Sequence, residues 1–197
     1  MSDVSVSKLL EGPIFHAKTS IRTEKNHIFF YTEVDRDSVH ELIETIREME
    51  VYCTQMKRQM NLKKVPIYLH INSYGGCVFS ALNAIDYIQS CKVPIYTVIE
   101  GAVASAGTLI SVFGTKRYMR PNAHMLIHQL SSSCWGKMQE IEDEYANLKQ
   151  LMVKIRSIYA ERTTIPKKQL RRMLKHDLWF NVDECIENGL VDEIWTD

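Results

Sequence analysis

The chain has 197 residues, 45% of them hydrophobic and 24% charged, and its 24 basic and 24 acidic side chains give a formal net charge of zero. That length suits one well-buried core and is short for two. The even charge balance gives no general pull toward nucleic acid or an anionic membrane surface, so neither is expected as a partner.

In chain order, residues 1–26 show no clean period and are broken by Gly12-Pro13, which reads as an N-terminal arm expected to be mobile. "NHIFFYTEV" (26–34) reads as a strand. Ser38 and Glu41 form an S-x-x-E capping box ahead of Val39, Leu42, Ile43, Ile46, Met49, Cys53, Met56 and Met60 at three-to-four spacing, which predicts a helix to about residue 60. "VPIYLHI" (65–71) is the next strand, "NSYGG" (72–76) a turn, and 77–90 a helix carrying Val78, Ala81, Leu82, Ile85 and Ile88. "VPIYTVI" (93–99) is a third strand. The repeated order of strand, turn and helix predicts right-handed parallel crossovers and an α/β fold.

After Ser105 the pattern predicts a short helix, strands at "KRYM" and "HMLIHQ", a loop, and one long helix over about 136–162. Met138, Ile141, Tyr145, Leu148, Met152 and Ile155 make one apolar stripe on it. At 1.5 Å per residue it reaches roughly 40 Å, more than one helix of so small a domain needs. It is expected either to project and pair with another subunit or to lie along its own core. A helix over 181–188, Gly189 as its stop, and a strand at "LVDEIW" close the chain.

Cys53, Cys77, Cys91, Cys134 and Cys185 are widely spaced with no C-x-x-C pair, a usage that fits reduced thiols in a cytosol-like compartment and disfavours zinc. No metal or cofactor is expected. No apolar run reaches the length of a signal peptide or the roughly 20 residues of a membrane span, so the chain reads as cytoplasmic.

The chemistry gathers at "IEGAVASAGTLI" (99–110). A serine hydroxyl needs a base to take its proton and N–H donors for the oxyanion that follows attack. Ser105, at the first turn of a helix, has free backbone N–H groups and the positive end of the helix dipole beside it, and small neighbours let a carbonyl approach. Gly75-Gly76 follows a strand and precedes a helix, so its N–H groups would sit at the same sheet edge. His128, at the end of the strand "HMLIH", is a candidate base. Asp177, among Leu178, Trp179 and Phe180, is a candidate to orient it. Each of these taken singly is more readily structural: close helix packing, a satisfied strand-end histidine, a helix cap or salt-bridge partner. The order Ser, His, Asp, with Val103 where G-x-S-x-G needs glycine, argues against an α/β-hydrolase.

At these residues the sequence resembles the ClpP family of serine peptidases. The likeness rests on "YLHINSYGG", "GAVASAG", "RPNAHMLIHQ" and "HDLWFNVDECIENGLVDEI" in the family's order, and it runs over about 27–195. It implies a ClpP/crotonase-like fold, a single peptidase domain over 27–197 and a handle region over about 129–162. It further implies Ser105 as nucleophile, His128 as general base, Asp177 as its orienter, and the N–H groups of Gly76 and Ala106 as oxyanion hole. Substrate would lie as an added strand between the segments after Gly76 and after His128, touching Gly75, Cys77 and Ser131. Assembly would be two stacked heptameric rings joined through the long helix. The partners implied are peptides or unfolded proteins as substrate, an AAA+ unfoldase, and other ClpP-like subunits.

Departures from the family pattern carry expectations too. Tyr74 and Leu130 stand where the family has proline, and "SSSCWG" where it has a Gly-rich strand. Lys175-His176 replaces an acid and an arginine, so coupling between rings is expected to be weaker or pH-sensitive. The family's apolar docking pocket falls on Tyr68, His70, Ser90, Val98, Glu100 and Arg120, four of them polar or charged, so the common unfoldase docking mode is not expected to act alone. The competing readings are a non-catalytic ring subunit, a crotonase-like acyl-CoA enzyme, and a Ser-Lys peptidase using Lys116.

Overall fold

The computed structural model describes residues 21–196. Of the expected N-terminal arm, residues 1–20 lie outside the described residues. Its last part is not an arm. Ile21–Glu24 forms strand β1, antiparallel to β2 (His27–Phe30) across a tight turn at Lys25, whose φ is 54°.

Three further parallel strands build the body: β3 (Ile67–Ser73), β4 (Ile95–Ala104) and β5 (Lys116–Met119). Helix α1 (Arg36–Gln59) makes the crossover from β2 to β3, and α2 (Val78–Ser90) the one from β3 to β4. The first begins earlier than expected. Asp35, not Ser38, caps it: the Asp35 carboxylate accepts from the Ser38 N–H at 2.8 Å, and the Ser38 hydroxyl accepts from the Asp35 N–H at 3.0 Å. A capping box needs only an acceptor at each of its two positions, and the pair three residues upstream of Ser38/Glu41 supplies them. Val39, Leu42, Ile43, Ile46, Met49 and Cys53 are buried as the spacing predicts, while Met60 is the exposed C-cap.

β4 is the strand that positions the site, because it changes neighbours partway along. Tyr96–Ile99 pairs with β5, and beyond Gly101 (φ 59°) Ala102–Ala104 pairs with β6 (His124–Leu126). Val103 and Ala104 remain buried through this change, so the strand delivers Ser105 to the edge of the core. α3 (Ala106–Ser111) starts at the next residue, every one of its side chains buried.

Helix α4 (Met138–Arg162) settles one alternative. Residues 138–154 carry no buried side chain, whereas Ile155, Ile158 and Tyr159 are buried, so the helix is rooted by its last turns and projects from the body. Besides β1, two elements are absent from the sequence reading: α5 (Lys167–Met173), which buries only Leu170, and the two-residue β7 (Trp179–Phe180), antiparallel to β6. Asn181 caps α6 (Val182–Glu187), Gly189 follows at φ 65°, and β8 (Glu193–Ile194) pairs with β5, shorter than the predicted strand. The class is α/β, with a mostly parallel sheet and helices packed against it.

Candidate active site

Ser105 sits at φ 53° and ψ −125°, on the side of the backbone map that L-residues avoid. Its N–H donates to the Leu126 carbonyl at 2.9 Å, and its own carbonyl accepts from the Thr108 N–H at 3.0 Å and the Thr108 hydroxyl at 2.6 Å. A strained residue persists only where its surroundings hold it, and here both flanking peptide groups are held. Ala106, next along, is the first residue of α3, so its N–H has no partner within the helix.

The glycine turn lies directly against this bend. A Cβ on Gly75 (φ 95°) would come within 2.7 Å of the Ser105 Cβ, 2.8 Å of the Ala104 carbonyl and 2.9 Å of the Ala106 nitrogen. Gly76 (φ 141°) is pressed on its other side against the Val34 carbonyl, 2.4 Å from where its Cβ would be. Val34 clamps the turn from there, its N–H donating to the Gly75 carbonyl and its carbonyl accepting from the Cys77 N–H, both at 2.7 Å. No other residue type fits either position.

Cys77 is exposed at the start of α2; hydrogen bonds from the Ser80 hydroxyl and then the Ser80 N–H hold its thiol below the ordinary cysteine range. Burial pushes Cys53 and Cys91 up to about 11 and Cys185 to about 12.

His128 lies two residues past the end of β6, not within the strand as the apolar run suggested. Its Nδ1 stands 3.5 Å from Asp177 Oδ1; the imidazole is 22% exposed and the carboxylate 77%. β7 brings Asp177 there: Trp179 pairs with Leu126, and the Gln129 N–H donates to the Leu174 carbonyl at 2.7 Å. The rings of Tyr74 and Trp179 meet edge to face at 6.2 Å, joining the glycine turn to the Asp177 segment. Ser105, Gly75, Gly76, Ala106, His128 and Asp177 therefore share one end of the sheet. Among the described residues no hydrogen bond joins the Ser105 hydroxyl to His128. Ser131 is exposed in the stretch 127–137, which forms no strand.

Lys116 is not at this edge. It opens β5 opposite Tyr96 and is paired with Glu193 at 2.8 Å, so roughly 30 Å of strand separates that row from Ser105. The Ser-Lys arrangement is thereby removed. Among the described residues no group of three or more His, Cys, Asp or Glu side chains is placed to hold a metal, and no helix is long and apolar enough to cross a membrane.

Sequence reasoning missed a second polar constellation, on another face of the sheet. Glu100 accepts from His70 Nδ1 at 3.0 Å, from Arg120 Nε at 3.1 Å and from the Tyr31 hydroxyl, while His27 Nδ1 lies 2.8 Å from His70 Nε2. Phe29 stacks on His70 at 4.5 Å, and Trp195 meets His70, Tyr68 and Tyr118 edge-on. Burial raises the Glu100 carboxyl, but the hydrogen bonds from His70 and Tyr31, with the charges around it, outweigh that and leave it at about 2. Burial first, and the neighbouring His70 second, lower His27. Four of the six positions expected at the docking pocket, Tyr68, His70, Glu100 and Arg120, are thus parts of one network. The sequence signal for it was the alternation of aromatic and charged residues along β2, β3 and β4.

A parallel-centred sheet with crossover helices and one projecting helix is the architecture of the ClpP-like class. A family model described as Clp protease matches residues 16–197. ATP-dependent Clp protease proteolytic subunit 2 of Treponema denticola is 37% identical over 131 residues, covering 66% of this chain and 66% of that protein. The ATP-dependent Clp protease proteolytic subunit of Streptococcus pyogenes serotype M5 is 33% identical over 132 residues, 65% of this chain and 67% of that protein. This chain belongs to the Clp protease family.

Proposed function

We propose that the chain is a serine endopeptidase subunit that cleaves peptides or unfolded proteins inside a ring-shaped chamber. The observation that carries this reading is the bend at Ser105, a strained serine opening a helix with a two-glycine turn packed on it and a His–Asp pair on the adjoining segment. His128 takes the hydroxyl proton as the Ser105 oxygen attacks the peptide carbonyl, and Asp177 keeps the imidazole oriented and offsets its positive charge. The N–H groups of Gly76 and Ala106 donate to the oxyanion, with the α3 dipole in support. The imidazolium then protonates the departing amine as the C–N bond breaks. A water molecule, deprotonated by the same imidazole, attacks the acyl-serine, which releases the acid and restores Ser105.

Substrate is bound mainly through its backbone, along the chain after Gly76, including Cys77, and along the segment after His128, including Ser131, so sequence selectivity is low. The exposed apolar stripe of α4, with Met138 72% and Tyr145 64% exposed, is the surface that pairs with other subunits. An unfoldase or other ClpP-like subunits are the further partners, and the hydrogen-bonded Glu100 network argues for a docking chemistry less apolar than the family's.

The test is hydrolysis of a fluorogenic peptide by purified full-length chain. Hydrolysis abolished in Ser105→Ala supports the reading, and equal hydrolysis by wild type and Ser105→Ala refutes it. The second reading, a non-catalytic ring subunit, is favoured by the unmade Ser105–His128 hydrogen bond and the open position of Asp177. It predicts assembled rings that hydrolyse no peptide.

A further inference from the structure

Tyr159 is a polar side chain sealed inside the molecule, 1% exposed, at the root of the projecting helix. Its hydroxyl lies 2.6 Å from Thr108 Oγ1. Thr108 is itself fully buried, on α3, and its hydroxyl lies 2.6 Å from the Ser105 carbonyl oxygen. The direction of this chain follows from proton counting. A carbonyl can only accept, and threonine has one hydroxyl proton, so Thr108 donates to Ser105 and Tyr159 donates to Thr108. Burial raises the Tyr159 phenol, which keeps it in the donor form. A donor received on the threonine oxygen polarises its O–H and strengthens the bond that O–H makes onward. The recipient is the carbonyl of the one residue at this edge held at φ 53°.

We infer that Tyr159 is a positioning residue, holding the Ser105 backbone through Thr108 and so tying the nucleophile's geometry to the root of α4. The inference rests on reading Ser105 as the nucleophile. It also gives the projecting helix a consequence at the site: whatever moves the last turns of α4 moves the donor behind Ser105.

A purely structural role would make the pair a satisfied polar contact in the core. The two roles separate in a double variant. Removing the Thr108 hydroxyl alone strands the buried Tyr159 hydroxyl, while removing both is nearly neutral for stability. The experiment measures, on full-length protein, the rate of fluorophosphonate labelling of Ser105, the melting temperature, and hydrogen exchange across residues 103–109. Tyr159→Phe should label about three- to tenfold more slowly, the range one hydrogen bond spans. Thr108→Ser should keep the wild-type rate. Thr108→Val with Tyr159→Phe should regain most of the melting temperature that Thr108→Val alone loses, and still label slowly. Wild-type labelling in the double variant, with only melting temperatures changed among the single ones, overturns the inference. No Ser105-dependent labelling of wild type would instead remove the peptidase reading. Exchange then decides the coupling alone: faster exchange across 103–109 in Tyr159→Phe upholds it, and unchanged exchange overturns it.

Discussion

Ser105 is held by hydrogen bonds on both flanking peptide groups and by a glycine turn that leaves no room for a Cβ, whereas Asp177 is 77% exposed and reaches His128 at 3.5 Å. The first half is fixed by the core of a single chain. The second hangs on a two-residue strand, one backbone hydrogen bond from Gln129 to Leu174 and one edge-to-face ring contact. The difference teaches where assembly would act: a subunit packed over the Asp177 side would exclude water and tighten a His128–Asp177 contact that lies open to solvent, while the Ser105 bend needs no such help.

The largest expected effect strikes the open half. If Asp177 orients His128 in the assembled protein, Asp177→Asn lowers peptide hydrolysis between about 100-fold and the roughly 10,000-fold known for a buried triad carboxylate. A loss of only a few fold would mean that another group orients the imidazole. The matching break in the closed half is Gly75→Ala, which puts a methyl group 2.7 Å from the Ser105 Cβ at φ 95°. It should lower hydrolysis roughly 100-fold, as loss of an oxyanion donor does, and the melting temperature with it. Charging the α4 stripe with Ile141→Asp and Tyr145→Asp should shift sedimentation to smaller particles and lower hydrolysis, with the melting temperature of the subunit body little changed. Preserved double rings would sink the role given to α4.

A smaller effect concerns pH. The lowered His27 means the unfolded chain, titrating near 6.5, binds that proton more readily than the folded one. Stability contributed this way is complete above about 6.5 and is lost as pH falls below it. Its setting includes His70, Glu24, Lys25 and Glu100. Chemical denaturation between pH 8 and 5 should show this decline, and His27→Gln should flatten it; an unchanged slope would count against the network. The smallest is chemical: at neutral pH iodoacetamide should modify Cys77 before Cys53, Cys91 or Cys185, whose thiols burial holds at about 11 to 12. Peptide mapping checks the order.

Strong periodicity made the core legible. Val39 through Cys53 on α1 and Ala81, Ile85 and Ile88 on α2 are buried because a helix with one apolar face can pack only one way on a sheet. Short elements were illegible for the same reason: α5 buries one residue, and β7 is two residues fixed wholly by pairing with β6. The candidate residues were legible in part: Ser105, Gly75-Gly76 and His128 stand at the ends of predicted strands, while Asp177 had no such marker and is placed by the pairing of β7 with β6. Its geometry was not. The positive φ of Ser105 sits behind a valine where an elbow motif has glycine, and the backing by Thr108 and Tyr159 spans 51 residues of chain with no local pattern to announce it. The same holds for His27, which meets His70 across 43 residues.

The central claim is that Ser105 is an activated nucleophile served by His128. Intact-mass analysis of the assembled protein after fluorophosphonate treatment tests it most directly. The account predicts one adduct per chain, mapped to Ser105, absent in Ser105→Ala and strongly slowed in His128→Ala. An adduct that survives Ser105→Ala, or forms at full rate without the imidazole, would contradict it.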